Sequence, residues 1–169
     1  MEPTLQNGQY LLINKAIYWR MDRISLDGIV SAASGAASDA RPAYIFRAPD
    51  RGDIVVFRFP RDPSRDFIKR VIAVPGDVVE IRAGRVIVNG RSIDEYYIND
   101  QPNYTMAAQQ VEPGHYFVLG DNRNNSSDSH VWGQVPADLI IGRAWFSYWP
   151  LSVLGVVGEP PLPVGALAP

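Results

Sequence analysis

Phe67-Ile68-Lys69-Arg70-Val71-Ile72-Ala73-Val74 reads as a single β-strand. Most of its side chains are β-branched or aromatic, the kinds that fit a pleated, half-buried surface. Alternation puts Phe67, Lys69, Val71 and Ala73 on one face, and Pro75-Gly76 ends the run. Outward from it the same texture repeats. Tyr10–Asn14, Asp53–Phe59, Val78–Arg82, Arg85–Val88, Tyr116–Leu119 and Leu139–Tyr148 are further predicted strands. Ala83-Gly84 separates two of them and Asn89-Gly90 follows the second, as tight hairpins require. Fourteen prolines and fourteen glycines disfavour long helices. The expected fold is therefore mainly β, with a short helix over Ala16–Arg23. Ser31–Pro42, small and polar, reads as a flexible insertion in a domain spanning residues 1–150. Residues 151–169, rich in proline, read as an extended or disordered tail.

Bulk composition narrows the function by exclusion. A chain of 169 residues is about one domain. A net charge of −2 gives no reason to expect nucleic acid as a partner. Cysteine is absent, which removes disulfides and thiol catalysis, and two histidines, His115 and His130, are too few for a histidine-rich metal site. The most apolar region, Leu139–Val157, is broken by Arg143, Pro150 and two glycines, whereas a spanning helix needs roughly 20 mostly apolar residues.

Lysine usage singles out one position. Of sixteen basic residues only Lys15 and Lys69 are lysine. On the apolar face of its strand the Lys69 amine would be partly desolvated, which favours the neutral form. A neutral amine can act as a general base, whereas arginine stays protonated. The alternative is a lysine snorkelling from an edge strand. Arg70, on the opposite face, is a charge in the same strand without that implication.

A polar run, Gly120-Asp121-Asn122-Arg123-Asn124-Asn125-Ser126-Ser127-Asp128-Ser129, follows the strand Tyr116–Leu119. Such residues bond to nearby backbone and build rigid loops, where functional groups often sit. Ser126, Ser127, Asp128, Ser129 and His130 are neighbours and also suggest a Ser-His-Asp triad, but triad members usually come from separate elements, so both histidines read as structural or solvent-facing.

Four segments in order resemble the signature boxes of bacterial type I signal peptidases. Met1-Glu2-Pro3-Thr4-Leu5 resembles the end of the Ser-Met-x-Pro-Thr-Leu box, and Arg51–Phe57 the next. Phe67–Asp77 is similar to the lysine box. Gly120–Ser129, with Trp132-Gly133 and Val135-Pro136, resembles the last. Four boxes in order are specific where one would be weak. The resemblance implies a signal-peptidase-like antiparallel β-sheet or barrel fold with hairpin extensions and little helix. It implies a serine endopeptidase that removes N-terminal signal peptides from secreted preproteins at the membrane surface. By position, Lys69 is the general base, Ser126 hydrogen-bonds and orients its amine, and Asp128 supports the Ser126 loop. Met1, Leu5 and Ile68 fall where the family lines small substrate pockets, and Asp66, Phe67 and Ile68 on the strand that pairs with substrate backbone. No metal or cofactor is implied. The implied partners are signal peptides and the membrane surface, the implied state a monomer, and the implied location the extracytoplasmic side of the plasma membrane. Trp145, Phe146, Tyr148 and Trp149 either enter the membrane interface or form one face of a core strand.

Three departures from the family pattern stand out. Asn124 replaces a usual aspartate. His130 replaces a usual arginine, so an ion pair to Asp128 becomes pH-dependent. The family's nucleophilic serine immediately precedes the methionine that is residue 1 here. The expectation is that upstream DNA encodes that serine, with a membrane anchor and part of the oxyanion hole, and that the chain as printed does not cleave signal peptides. The alternatives are a degenerate, peptide-binding family member and a repressor-type autocleaving serine/lysine protease.

Overall fold

The computed structural model describes residues 1–20, 44–151 and 154–157. The expected Ser31–Pro42 insertion, and the tail beyond residue 157, lie outside the described residues. Two antiparallel sheets carry the chain. The larger uses β1 (Tyr10–Asn14), β2 (Ile54–Phe59), β3 (Asp62–Ala73), β8 (His115–Leu119), β9 (Val135–Pro136), β10 (Ile140–Trp149) and β11 (Gly155–Val156). Its order is β1-β10-β2-β3-β8-β9, with β11 against β10. The smaller sheet, ordered β6-β5-β4-β7, uses β4 (Val78–Arg82), β5 (Arg85–Val88), β6 (Arg91–Ser92) and β7 (Met106–Gln110). Helix is limited, among the described residues, to single turns and α1 (Ser129–Trp132).

The two dipeptides expected at tight turns do form them. Ala83 and Gly84 have φ of 50° and 74°, Asn89 and Gly90 of 52° and 77°. This left-handed pair of conformations matches the right-handed twist of the flanking strands. The strands missed in the sequence are short or weakly β-forming. Met106-Ala107-Ala108-Gln109-Gln110 has no branched residue, and pairing with β4 alone makes it a strand. Of the expected helix at Ala16–Arg23, the described part, through Arg20, holds a 3-10 turn, Ala16–Tyr18, and residues 21–23 lie outside the described residues. Arg20 bridges Tyr44 instead. In the stretch read as a tail, β11 pairs with β10, and Val157 is only 6% exposed.

β3 positions the site. Its C-terminal part pairs on both sides, with β2 and with β8, but β8 begins its pairing only at Arg70↔Leu119. From Asp62 to Lys69 the edge away from β2 has no strand beside it among the described residues. The strict alternation read from the sequence fails near its end. A bulge between Val71 and Ala73 lets Phe67 and Val71 pack in one core cluster while Ile72 and Ala73 join another. The first of these is an aromatic layer, in which Phe67 stacks on Phe59 at 4.6 Å beside Phe57 and Trp132.

Candidate active site

Lys69 sits where β8 stops and the polar loop begins. Because β3 and β8 run antiparallel with Arg70 opposite Leu119, the next position sets Lys69 opposite Gly120. Directly opposed residues send their side chains to the same face, with Cβ positions about 4.5–5.5 Å apart. Gly120 has no side chain, and Ser126 fills that space. A Cβ on Gly120 would overlap the Ser126 hydroxyl and come within 2.8 Å of the Ser126 Cβ. The serine hydroxyl is thus delivered to the face that carries the Lys69 amine.

The amine is half-buried, with Nζ 5.7 Å from the centre of the Phe67 ring. Burial lowers its pKa below the ordinary lysine value, and the charges of Asp128 and Asp121 partly offset that. The Met1 amine is also lowered, by burial first and then by the charge of Lys69, so the first residue lies close to this lysine. The expected hydrogen bond between Ser126 and Lys69 is not made in this structure. Ser126 Oγ is shielded from solvent and has no hydrogen-bond partner among the described residues. Catalytic hydrogen bonds are often long or misaligned without substrate and tighten when it binds.

Asp128, fully buried, ties the loop closed. Its Oδ2 accepts from the Gly120 N–H at 2.9 Å. Its Oδ1 accepts from the His130 N–H at 3.3 Å, which caps α1, and lies 2.6 Å from His130 Nδ1. The neighbouring serines are committed elsewhere or exposed: Ser129 Oγ accepts from Val118 N–H at 3.0 Å, and Ser127 faces solvent. No hydrogen bond joins His130 to a serine among the described residues, so the Asp128–His130 pair does not extend into a triad there.

The residues expected to meet substrate fall into two groups. Leu5 is 8% exposed and belongs to a small apolar cluster with Ile54, Ala144 and Val157, against which Met1 and Ile68 pack. Asp66 is exposed and Phe67 half-buried, both on the edge of β3 that lacks a strand neighbour. Asp66, Phe67 and Ile68 directly precede Lys69 in β3, and Ile68 packs in the apolar cluster with Met1 and Leu5.

Sequence reasoning set Arg70 aside, and here the structure differs. Arg70 is 3% exposed and holds the fully buried Asp121 through Nε at 3.0 Å and Nη2 at 2.8 Å. Thr4 Oγ1 donates to the same carboxylate, and the guanidinium lies 3.9 Å above the Tyr97 ring. A second ion pair, Arg123–Glu95 at 2.6 Å, also lies beside Tyr97, and Arg123 Nε donates to the Gly120 carbonyl at 3.0 Å. These pairs pin both ends of the segment that carries Gly120. The signal for them in the sequence was an Asp-x-Arg directly after the glycine, paired with a strand arginine.

In a chain carrying serine before Met1, Gly120→Ala is expected to fold and to lose cleavage, by about 10² in rate, since a misplacement near 1 Å costs that much. Steady-state kinetics on the alanine variant checks this, and an unchanged rate would mean Ser126 is not positioned for chemistry.

A desolvated lysine amine beside the shielded hydroxyl of Ser126 is a candidate general base on a β-scaffold. Residues 1–149 match the family described as "Signal peptidase, peptidase S26", and the chain belongs to that family. It is 47% identical to Signal peptidase I of Leptolyngbya laminosa over 126 residues, 70% of this chain and 62% of that protein. It is 39% identical to Probable signal peptidase I-2 of Synechocystis sp., covering 94% of this chain and 63% of the relative. Thylakoidal processing peptidase 1 of Arabidopsis thaliana is 43% identical over 65% of this chain and 35% of its own length. The chain thus spans less than two thirds of the length of these relatives.

Proposed function

We propose that this chain is the catalytic domain of a serine endopeptidase that removes signal peptides, with Lys69 as general base. The reading rests on the Lys69 amine, desolvated on the strand face where Ser126 fills the hollow of Gly120. The nucleophile is a serine at the position before Met1, whose backbone amine already feels the charge of Lys69. Neutral Lys69 takes the proton from that serine hydroxyl as its oxygen attacks the scissile carbonyl carbon. The protonated amine then gives the proton to the departing peptide nitrogen, leaving an ester between serine and the substrate acyl group. Water attacks the ester as Lys69 takes its proton. The acid and the free serine result. Ser126 orients the amine, and Asp128 holds the Ser126 loop.

The substrate enters extended, adding a strand to the free edge at Asp66, Phe67 and Ile68. Met1, Leu5 and Ile68 line the small pockets that admit alanine-sized side chains before the cut. No helix among the described residues is long and apolar enough to cross a membrane. Attachment to the membrane surface is supported by a different feature. Tyr10, Trp145, Tyr148, Trp149 and Val156, on neighbouring strands β1, β10 and β11, and Leu154 just before β11 are all exposed. Exposed aromatics gathered on adjacent strands suit a membrane interface. Replacing Trp145, Trp149 and Leu154 by serine should reduce co-sedimentation with lipid vesicles; undiminished binding removes this assignment.

The test of the reading is a chain extended by serine before Met1 and assayed on a preprotein with alanines at the first and third positions before the cut. Cleavage at that bond is expected. It should rise with pH as Lys69 loses its proton, in a range below that of a free lysine side chain because burial lowers its pKa. Cleavage that persists with alanine in place of the added serine contradicts the assignment of the nucleophile.

A further inference from the structure

Both departures of the last signature box, Asn124 and His130, touch the same stretch of chain. That stretch, Gln101–Tyr104, belongs to the connection between β6 and β7 in the smaller sheet. Asn124 Oδ1 accepts from the Asn103 N–H at 2.8 Å, and Asn124 Nδ2 donates to the Gln101 carbonyl at 3.0 Å. Only an amide does both, because a carboxylate cannot donate. His130 stacks on Tyr104, ring centres 4.1 Å apart and planes within 14°. The Tyr104 hydroxyl has no hydrogen-bond partner among the described residues, so its ring is what makes the contact. The connection is itself anchored. Gln101 packs over Gly84, where a Cβ would come within 2.9 Å of Gln101 Oε1, and Glu95 and Tyr97 at its start bind Arg123.

Resting on the reading of Lys69 as the base, we propose that Gln101–Tyr104 is a clip: through Asn124 and His130 it fixes the Gly120–Asp128 loop, and hence Ser126, against Lys69. Asn124 and Tyr104 are then positioning residues. The path is continuous. Tyr104 fixes the ring of His130, His130 Nδ1 lies 2.6 Å from Asp128, and Asp128 accepts from the Gly120 N–H at 2.9 Å. Ser126 in turn occupies the hollow that Gly120 leaves. With the clip released, the loop loosens, water reaches the Lys69 amine, and the amine regains affinity for its proton. The charged groups facing that amine are Asp128, Asp121 and the Met1 amine, and none of them belongs to the clip.

The chain as printed suffices for the test, because with only two lysines its labelled side-chain amines give two NMR signals. Lys69 is followed through a pH titration, and exposed Lys15 serves as an internal control. In the unsubstituted chain the Lys69 midpoint is expected below that of a free lysine side chain. Asn124→Ala and Tyr104→Leu should both raise it, whereas Tyr104→Phe, which keeps the ring, should leave it unchanged. A lowered Lys69 that neither Asn124→Ala nor Tyr104→Leu moves overturns the clip and spares the lysine-base reading. A midpoint already at the free-lysine position in the unsubstituted chain overturns that reading and the clip with it. Asn124 is exposed, so its alanine variant keeps the test open should Tyr104→Leu fold poorly.

Discussion

Lys69→Met, in the chain carrying serine before Met1, is expected to lower kcat/KM by roughly 10⁴-fold, the scale on which loss of a general base and its partner group is felt. Methionine has nearly the length and apolar stem of lysine, so packing against Phe67 is kept while the only group able to take the serine proton is gone. No other described side chain can replace it. His130 is already paired with Asp128, and Arg70 stays protonated and is locked to Asp121. The thermal midpoint should change little, because the amine is held in its site by burial and not by an ion pair. Kinetics together with a melting curve decide the matter. Retained cleavage, or lost cleavage with lost folding, contradicts the assignment of Lys69 as base.

Asp121→Ala is expected to carry the largest cost to stability. It removes the carboxylate that satisfies Arg70 and leaves a guanidinium 3% exposed with its charge uncompensated. Breaking a buried ion pair by removing one partner costs about 3–5 kcal/mol. That is a large part of the roughly 5–15 kcal/mol by which a domain is stable at all. The Thr4 hydroxyl also loses its acceptor, so the segment behind Met1 loosens together with the loop. Urea denaturation of the chain as printed measures this. A shift under about 1 kcal/mol, the range of exposed pairs, would show that Arg70 finds water on its own.

Much of the site was legible before any coordinates. Lys69 stood out because the chain otherwise uses arginine and because its neighbours are apolar, and both facts are local. The run Gly120–Ser129 stood out by composition. What could not be read was the use of each member. Arg70 and Lys69 are adjacent and both basic, yet one is sealed in an ion pair and the other left unpaired. That difference depends on Asp121, which is distant in sequence and adjacent in space. Gly120 stood only as the first residue of the polar run, but it is the hollow that receives Ser126. Asn124 looked like a departure from pattern and turned out to bond a segment more than twenty residues away.

By itself, the sequence determined the β character of the chain, its two tight hairpin turns, and the strand face shared by Phe67, Lys69 and Val71. These follow from side-chain branching, turn conformations and period-two alternation, which act over a few residues. Only the tertiary structure decided that β8 stops one residue short of Lys69, that the β3 edge beyond it is free, and that Ser126 lies on Gly120. Strand register joins residues far apart in the chain, Arg70 to Leu119 across 49 positions, and no local propensity encodes it.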